Sequence, residues 1–462
     1  MNNPAHDAQA DGTAPTPDRR RHLRLLGRAS WNLIDQVLSA VANMVLAVLV
    51  VHAAGAKAFD AFSVAFLLFA IMIGIERALV GQPLGIRHSA DTGELRRRTA
   101  SRALGVAVGI TVPAALAMLA TGLVIGGRLG TTLVATAVVL PFLILQDTCR
   151  QVFFAWGQAS KAAFTDFLWA VVQFSAMGVL MWQHAATAPR LVLAWGGGAA
   201  VCVVVAMTQL KALPAPTATL GWVRQHRDLV GYFVGEYMLT TGAFNGGYLT
   251  VGAIIGDQAV GSIRAVQVLL GPLQIVSGAA MSFGLPELSR RAEQLTSGSR
   301  RKIAYGISAG MVVLSVAYVG VLYLLPDSLV TLLWKDKWQM AQPVLLPLGL
   351  AMIASTATLG PAVVIYALGL AKRTFRLITI EAPLVFTLMI GGTVLLGVKG
   401  TAWGQFADQA IILVLWFATL RSVLTEEPGA GDGRGSADGR SDLTPGGGPL
   451  LDPFTGPIDL RR

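Results

Sequence analysis

The chain is built from continuous apolar blocks of about twenty residues, the length an α-helix needs to cross a hydrocarbon core of about 30 Å. Inside such a core every backbone N–H and C=O must be satisfied within the protein, which leaves packed helices or a closed barrel. A barrel strand alternates polar and apolar residues over about ten positions, and these blocks do not alternate. Composition agrees: 54% of the 462 residues are hydrophobic and 13% charged, about half the charged share of a soluble domain. The sequence reads as an all-α polytopic membrane protein.

Twelve spans are expected, at 31–53, 60–83, 103–125, 131–150, 163–182, 190–211, 230–255, 259–284, 303–325, 342–369, 376–397 and 400–421. Pro113, Pro141, Pro272, Pro361 and Pro383 fall inside spans and are expected to kink them, breaks that a bundle tolerates because neighbouring helices satisfy the freed carbonyls. Positive charge sets the orientation. Of the 36 Lys and Arg residues, 28 lie in the first segment, in every second connection and in the tail. The other side receives Lys57, Arg128, Arg190, Arg264, Lys335, Lys337 and Lys399, while Arg77 lies within a span. The excess marks the cytosolic side, so both termini are expected there. The net charge of +10 thus reports topology rather than a nucleic-acid surface.

Five segments follow: a disordered, basic 1–28; a six-helix bundle over 29–212; a cytosolic linker 213–229; a second six-helix bundle over 230–422; and a disordered Gly-, Pro- and Asp-rich tail, 423–462. Arg19-Arg20-Arg21 before an apolar run imitates a secretory signal, with Ala54-Gly55-Ala56 resembling a cleavage site. The many later spans favour an uncleaved first helix. Cys149 and Cys202 sit in apolar segments and read as inert thiols. The six histidines lie in loops or at span ends, so no buried proton relay or metal cluster is expected from them. No P-loop, zincin motif or GxSxG elbow occurs. Neither a cofactor nor an enzymatic activity is implied.

A weak internal duplication is visible. Ala54–Asp60 aligns with Ile255–Gly261 at an offset of 201, each joining the first two helices of its half. The same offset sets Asp35 on Glu236 and Ser39 on Thr240. Phe154–Lys161 aligns with Tyr366–Arg373 at an offset of 212. Six spans per half make the repeats parallel, with a pseudo-two-fold along the membrane normal and a candidate pathway between them.

Charges within spans should face a partner or a wet cavity, because a lone charge at mid-membrane costs about 2.5–3.5 kcal/mol even on insertion scales. On the first span Asn32, Gln36, Ser39 and Asn43 share one face, flanked by Asp35; on the eighth Arg264, Gln267, Gly271, Gln274, Gly278 and Ser282 form another. Both stripes are candidate pathway linings, although small and polar residues also pack bundle interfaces. Arg77 and Arg264 suit an anionic cargo, since a guanidinium binds two oxygens and keeps its charge. Asp35, Glu236 and Glu76 are candidate proton or cation sites, with a plain hydrogen-bonded carboxylate as the alternative. Glu76 and Arg77 are adjacent, so they need separate partners, Asp35 among them. A structural salt bridge is expected among Asp147, Arg150 and Asp166; Glu381 and Asp408 have no assigned role.

The 6+6 repeat, the basic run before Trp31-Asn32-Leu33, the Ala53–Phe62 stretch, Leu145–Arg150, Ile255–Gly261 and Leu285-Pro286-Glu287-Leu288 together resemble the multidrug/oligosaccharidyl-lipid/polysaccharide exporter superfamily. Within it the bacterial polysaccharide flippases are the nearest pattern, over about residues 25–422. Those proteins usually carry Gly where Asp60 stands, a departure placed in a loop away from the pathway. The resemblance implies alternating access by two rocking bundles in the bacterial cytoplasmic membrane. It also implies a polyprenyl-diphosphate-linked glycan as cargo, with polysaccharide-biosynthesis proteins as possible partners and no nucleic acid. A cation-coupled drug or metabolite antiporter of the same superfamily is the alternative. A membrane-embedded polymerase, which needs a large external loop, and an inert scaffold, which needs no charges in its spans, fit less well.

Overall fold

The computed structural model describes residues 41–291 and 294–426. The 1–28 segment, Asn32, Asp35, Gln36 and Ser39, and nearly all of the 423–462 tail therefore lie outside the described residues. Within them the regular structure is helical and contains no strand. In chain order the helices are α1 (Val41–Ala54), α2 (Ala56–Arg87), α3 (Gly93–Ile125), α4 (Gly127–Ala155), α5 (Ala159–Trp182) and α6 (Ala188–Leu210). A short α7 (Thr219–Gln225) follows. Then come α8 (227–255), α9 (Asp257–Arg291), α10 (Ser297–Leu324), the short α11 (Asp327–Trp334), α12 (Lys337–Ala367), α13 (371–396) and α14 (398–426).

Nine helices among the described residues are long and apolar enough to cross a membrane, which makes this a multi-pass membrane protein. That count differs from the twelve expected spans at three places. Only 41–54 of the first span is described, α8 is broken at Thr240 (φ −104°, ψ −105°), and the last two spans form one helix apart from a reversal at Gly397 (φ 62°, ψ −143°).

Two packing units are evident. In the first, α4 is central and packs on α3, α6 and α2, with α5 against α6; in the second, α12 packs on α9, α10 and the α13–α14 stretch. They meet along a seam where α2 faces α8 and α9. Pro113 and Pro141 lie within unbroken helices.

The connections recur between the two units. Gly55 (φ 83°) and Gly256 (φ 93°) each turn the chain between a unit's first two helices in a conformation that favours glycine. Gly55 N donates to Val51 O at 3.0 Å and Gly256 N to Gly252 O at 2.9 Å. Gly157 N donates to Phe154 O at 3.0 Å and Gly369 N to Tyr366 O at 2.9 Å, again with matching backbone turns.

Two helices carry π turns that pack against each other's segments. In α2 the turn is Arg77–Gly81, in α8 it is Met238–Gly242, and the α8 stretch Arg227–Tyr237 lies against the α2 turn. A π turn inserts one extra residue and re-aims the side chains that follow, which is why such turns cluster at functional sites.

Candidate functional site

The seam has three levels, described from the end that carries the 213–229 linker to the opposite, far end. At the linker end Trp222 is fully buried and its Nε1 donates to Leu79 O at 3.0 Å. Arg87 pairs with Asp228 and donates to Gln225 O at 3.1 Å. His226, also fully buried, holds its Nδ1 2.9 Å from Trp222 O, and its Nε2 lies 3.1 Å from His88 Nε2. His88 Nδ1 in turn lies 2.9 Å from Asp91 Oδ2. Two helix ends, 138 residues apart, thus converge on one histidine pair. Burial holds the His226 pKa below the ordinary imidazole value, with the nearby His88, Arg87 and Arg102 adding to the effect and the Trp222 carbonyl opposing it.

Just inside this level, the α2 π turn starts at a charged cluster. Arg77 Nε and Nη2 each donate at 2.8 Å to the two oxygens of Asp147, a bidentate pair. Arg150 bridges Asp147 at 3.3 Å and Asp166 at 3.4 Å, and Gln146 Nε2 donates to Asp166 Oδ1 at 2.7 Å. Glu76 is fully buried and accepts from Thr148 Oγ1 at 2.8 Å. Adjacent Glu76 and Arg77 thus have separate partners, as helix geometry requires, and Arg77's is Asp147. The Arg77 side chain remains 41% exposed, whereas Asp147 is 2% exposed.

At mid-seam Arg264 of α9 lies with its guanidinium carbon 3.8 Å from the centroid of the Phe66 ring of α2. Phe66 stacks on Trp195 (5.8 Å, 19°), and Trp195 on Trp169 (6.4 Å, 14°), so an aromatic ladder backs the cation. Among the described residues no carboxylate lies within ion-pair distance of Arg264. The ring occupies one face of the guanidinium plane. Its five N–H donors point outward in that plane, free for a planar anionic acceptor. One turn along, Gln267 lies beside Tyr248, whose hydroxyl donates to Gln405 Oε1 at 2.6 Å. Asn43 and Gln274 are exposed and make no side-chain hydrogen bond among the described residues. Arg264 and Gln267 thus stand one turn apart on the same helix.

Glu236 sits partly buried on α8. Deeper in the same unit Gln409 Nε2 is shared between Glu381 Oε1 (3.1 Å) and Asp408 Oδ2 (2.9 Å), and Asp408 is fully buried. Among the described residues no Lys or Arg lies within ion-pair distance of Glu236, Glu381 or Asp408.

The far end departs from expectation. Lys337, assigned to an external connection, is the first residue of α12, fully buried, and paired with Asp60 of α2. Asp60, assigned to a loop, lies in the first turns of α2 and is 4% exposed. Nothing in local sequence joins residues 277 positions apart.

The described chain is thus a helical bundle of two units with charged side chains ranged along the seam between them. Comparison with solved structures specifies the fold. The lipid II flippase MurJ in an inward closed conformation superimposes with a TM-score of 0.59 at 13% identity, over 86% of this chain and 87% of that one. An inward-facing multidrug resistance MATE family transporter of the MOP superfamily gives 0.58 at 12%, over 86% and 94%. The MATE multidrug transporter DinF-BH gives 0.55 at 16%, over 92% and 100%. The chain thus has the fold of MOP-superfamily transporters. No protein-family model and no curated protein matches the sequence.

Proposed function

We propose that the protein is a bacterial cytoplasmic-membrane flippase of this superfamily. It moves a polyprenyl-diphosphate-linked oligosaccharide to the outer leaflet by alternating access, for cell-surface polysaccharide synthesis. Twelve spans in two parallel six-helix repeats, with both termini and the linker end cytosolic, form the scaffold of this reading. The matching glycine turns at Gly55 and Gly256, and at Gly157 and Gly369, support the repeat. So does the contact between Asp60 and Gly261, equivalent positions that meet across the seam as residues near a two-fold axis should.

The observation that carries the cargo assignment is Arg264: a partly buried cation on the seam, backed by an aromatic face and without a carboxylate partner among the described residues. A cation kept between two bundles needs a partner or a wet cavity, and an anionic headgroup entering that cavity would meet a planar donor edge able to bind two of its oxygens. Arg77, closed on Asp147 but still exposed, is a second contact nearer the cytosol. Asn32, Gln36, Asn43, Gln267 and Gln274 complete the pathway in this reading. The lipid tail stays in the bilayer.

A cation-coupled drug or metabolite antiporter is the second reading. Glu236, Glu381 and Asp408 favour it, as carboxylates kept without a basic partner among the described residues. In the flippase reading the same residues, with Asp35 and Glu76, are candidate ion-coupling groups.

The discriminating experiment deletes the gene and follows lipid-linked glycans and surface polymer, with complementation by wild type and by Arg264→Ala. Accumulated intermediate, lost polymer and no rescue by Arg264→Ala are expected. Unchanged glycans with reduced drug tolerance would transfer the assignment to the antiporter.

A further inference from the structure

Four contacts cross the seam at its far end. Lys337 pairs with Asp60 across the seam, while within its own unit its Nζ donates to Gln258 O at 3.2 Å. Lys335 Nζ donates to His52 O at 3.1 Å. Phe59 meets Trp334 edge-on at 5.5 Å and 68°. Under the Asp60 carboxylate lies Gly261, where a Cβ would fall 1.9 Å from Asp60 Oδ1. Asp257 and Arg128 are the other charges that bear on the pair.

These contacts break the symmetry of the repeat. Position 60 in one half and 261 in the other are equivalent, yet one carries a carboxylate and the other has no side chain. Gly261 leaves the space that Asp60 fills, and the ammonium facing Asp60 comes from α12 of the opposite unit. From this we infer that Asp60 and Lys337 form an ionic lock holding the far end of the seam shut. It is a gating device of this chain, built on an asymmetry between its two halves.

The physics is that of a buried ion pair, whose value lies in the difference between keeping and breaking it. With both partners present and dry, attraction roughly offsets their desolvation. When the seam opens, water enters and hydrates the two ions separately, so opening remains accessible. Removing one charge alone leaves the other buried without compensation, which penalises the closed state and not the open one. The lock therefore tunes the closed–open equilibrium, and a single neutral substitution shifts it toward open.

This inference rests on the alternating-access reading but not on the cargo. The test uses full-length protein in proteoliposomes without cargo. Spin labels are placed at Lys57→Cys and Asp336→Cys, exposed positions on the two sides of the far end; the native Cys149 and Cys202 are buried. Pulsed dipolar spectroscopy reads the distance distribution. Asp60→Asn is expected to move population from the short to a long distance. Asp60→Asn with Lys337→Met, which removes both charges, is expected to return it. Gly261→Ala, which touches neither charge but displaces the carboxylate, should also lengthen the distance, and it stands in should Asp60→Asn fail to fold. A distribution that leaves the short population unchanged in both Asp60→Asn and Gly261→Ala, while wild type samples the long one, overturns the lock and spares alternating access. A single short distance in every variant overturns both. Failure of the glycan experiment with these shifts intact removes the cargo assignment alone.

Discussion

The ring of Tyr237 occupies the space where Gly74 lacks a side chain: a Cβ on Gly74 would fall 2.0 Å from Tyr237 Cε2, and the Tyr237 hydroxyl donates to Ala70 O at 3.2 Å and Ile71 O at 3.1 Å. Both residues precede the π turns of their helices, so this knob closes the seam between α2 and α8. Two carbonyls already engaged within α2 accept a further bond from the opposite unit.

Gly74→Ala should force the ring out, at a cost of about 1–3 kcal/mol, the range for overpacking a close contact. Tyr237→Phe keeps the ring and removes only the bonded hydroxyl, about 0.5–1.5 kcal/mol. Thermal unfolding of the purified protein in nanodiscs checks the order. Gly74→Ala losing less stability than Tyr237→Phe would show that the contact is loose.

The Asp147 cluster makes a different prediction. Asp147→Ala strips a buried acceptor from both Arg77 and Arg150. Because Arg77 is 41% exposed and can turn to water, the loss should lie at the low end of the roughly 3–5 kcal/mol for breaking a buried pair. Adding Arg77→Met to Asp147→Ala should restore part of it, since one stranded cation is gone. A double-mutant cycle reads this as a coupling energy, and strict additivity would contradict the pairing.

The helical, multi-span fold was legible because hydropathy is a one-dimensional signal: a span announces itself by its own residues. The pairings across the seam were not. Asp60 with Lys337, His88 with His226 and Arg77 with Asp147 join residues 277, 138 and 70 positions apart, and each helix has several faces on which a charge could point. Lys337 shows the mechanism of error. A lysine just before an apolar block reads as an external charge, and only the α12 start against α2 reveals that its amine turns inward. Neither π turn has a local pattern, so the side chains re-aimed after Glu76 and Tyr237 were beyond reach. Arg264 was legible as a lone cation in a polar stripe, but its seat on Phe66 was not.

The linker should loosen in mild acid. The pKa of His226 is lowered in the folded protein, so the unfolded or undocked segment binds a proton more readily. Stability from this group is therefore complete above the free imidazole value of about 6.5 and falls as pH drops below it. Protonation also places two N–H groups face to face across the 3.1 Å His88–His226 contact. Hydrogen exchange of residues 219–229 should rise from pH 7.5 to pH 5.5 in wild type. His226→Gln, which cannot titrate, should flatten that rise, and an equally steep profile in the variant would assign the pH response elsewhere.

Arg264→Lys separates charge from geometry at mid-seam. Lysine preserves the positive charge but loses the plane that lies on Phe66 and the two-pronged donor edge. If the diphosphate of the cargo is held by that edge, losing a charge-assisted bond costs about 1.5–3 kcal/mol, roughly ten- to hundredfold in affinity. Arg264→Ala should lose more, since the charge goes as well, while Phe66→Leu keeps the donors and should lose less by removing only the supporting face. Binding of a polyprenyl-diphosphate-linked glycan to protein in nanodiscs, measured beside a polyprenyl monophosphate, reads the series. The monophosphate also offers two oxygens to the fork but carries less charge, so it should bind more weakly throughout while keeping the same order of variants. Equal affinity of wild type and Arg264→Ala for the diphosphate would remove Arg264 from the cargo path.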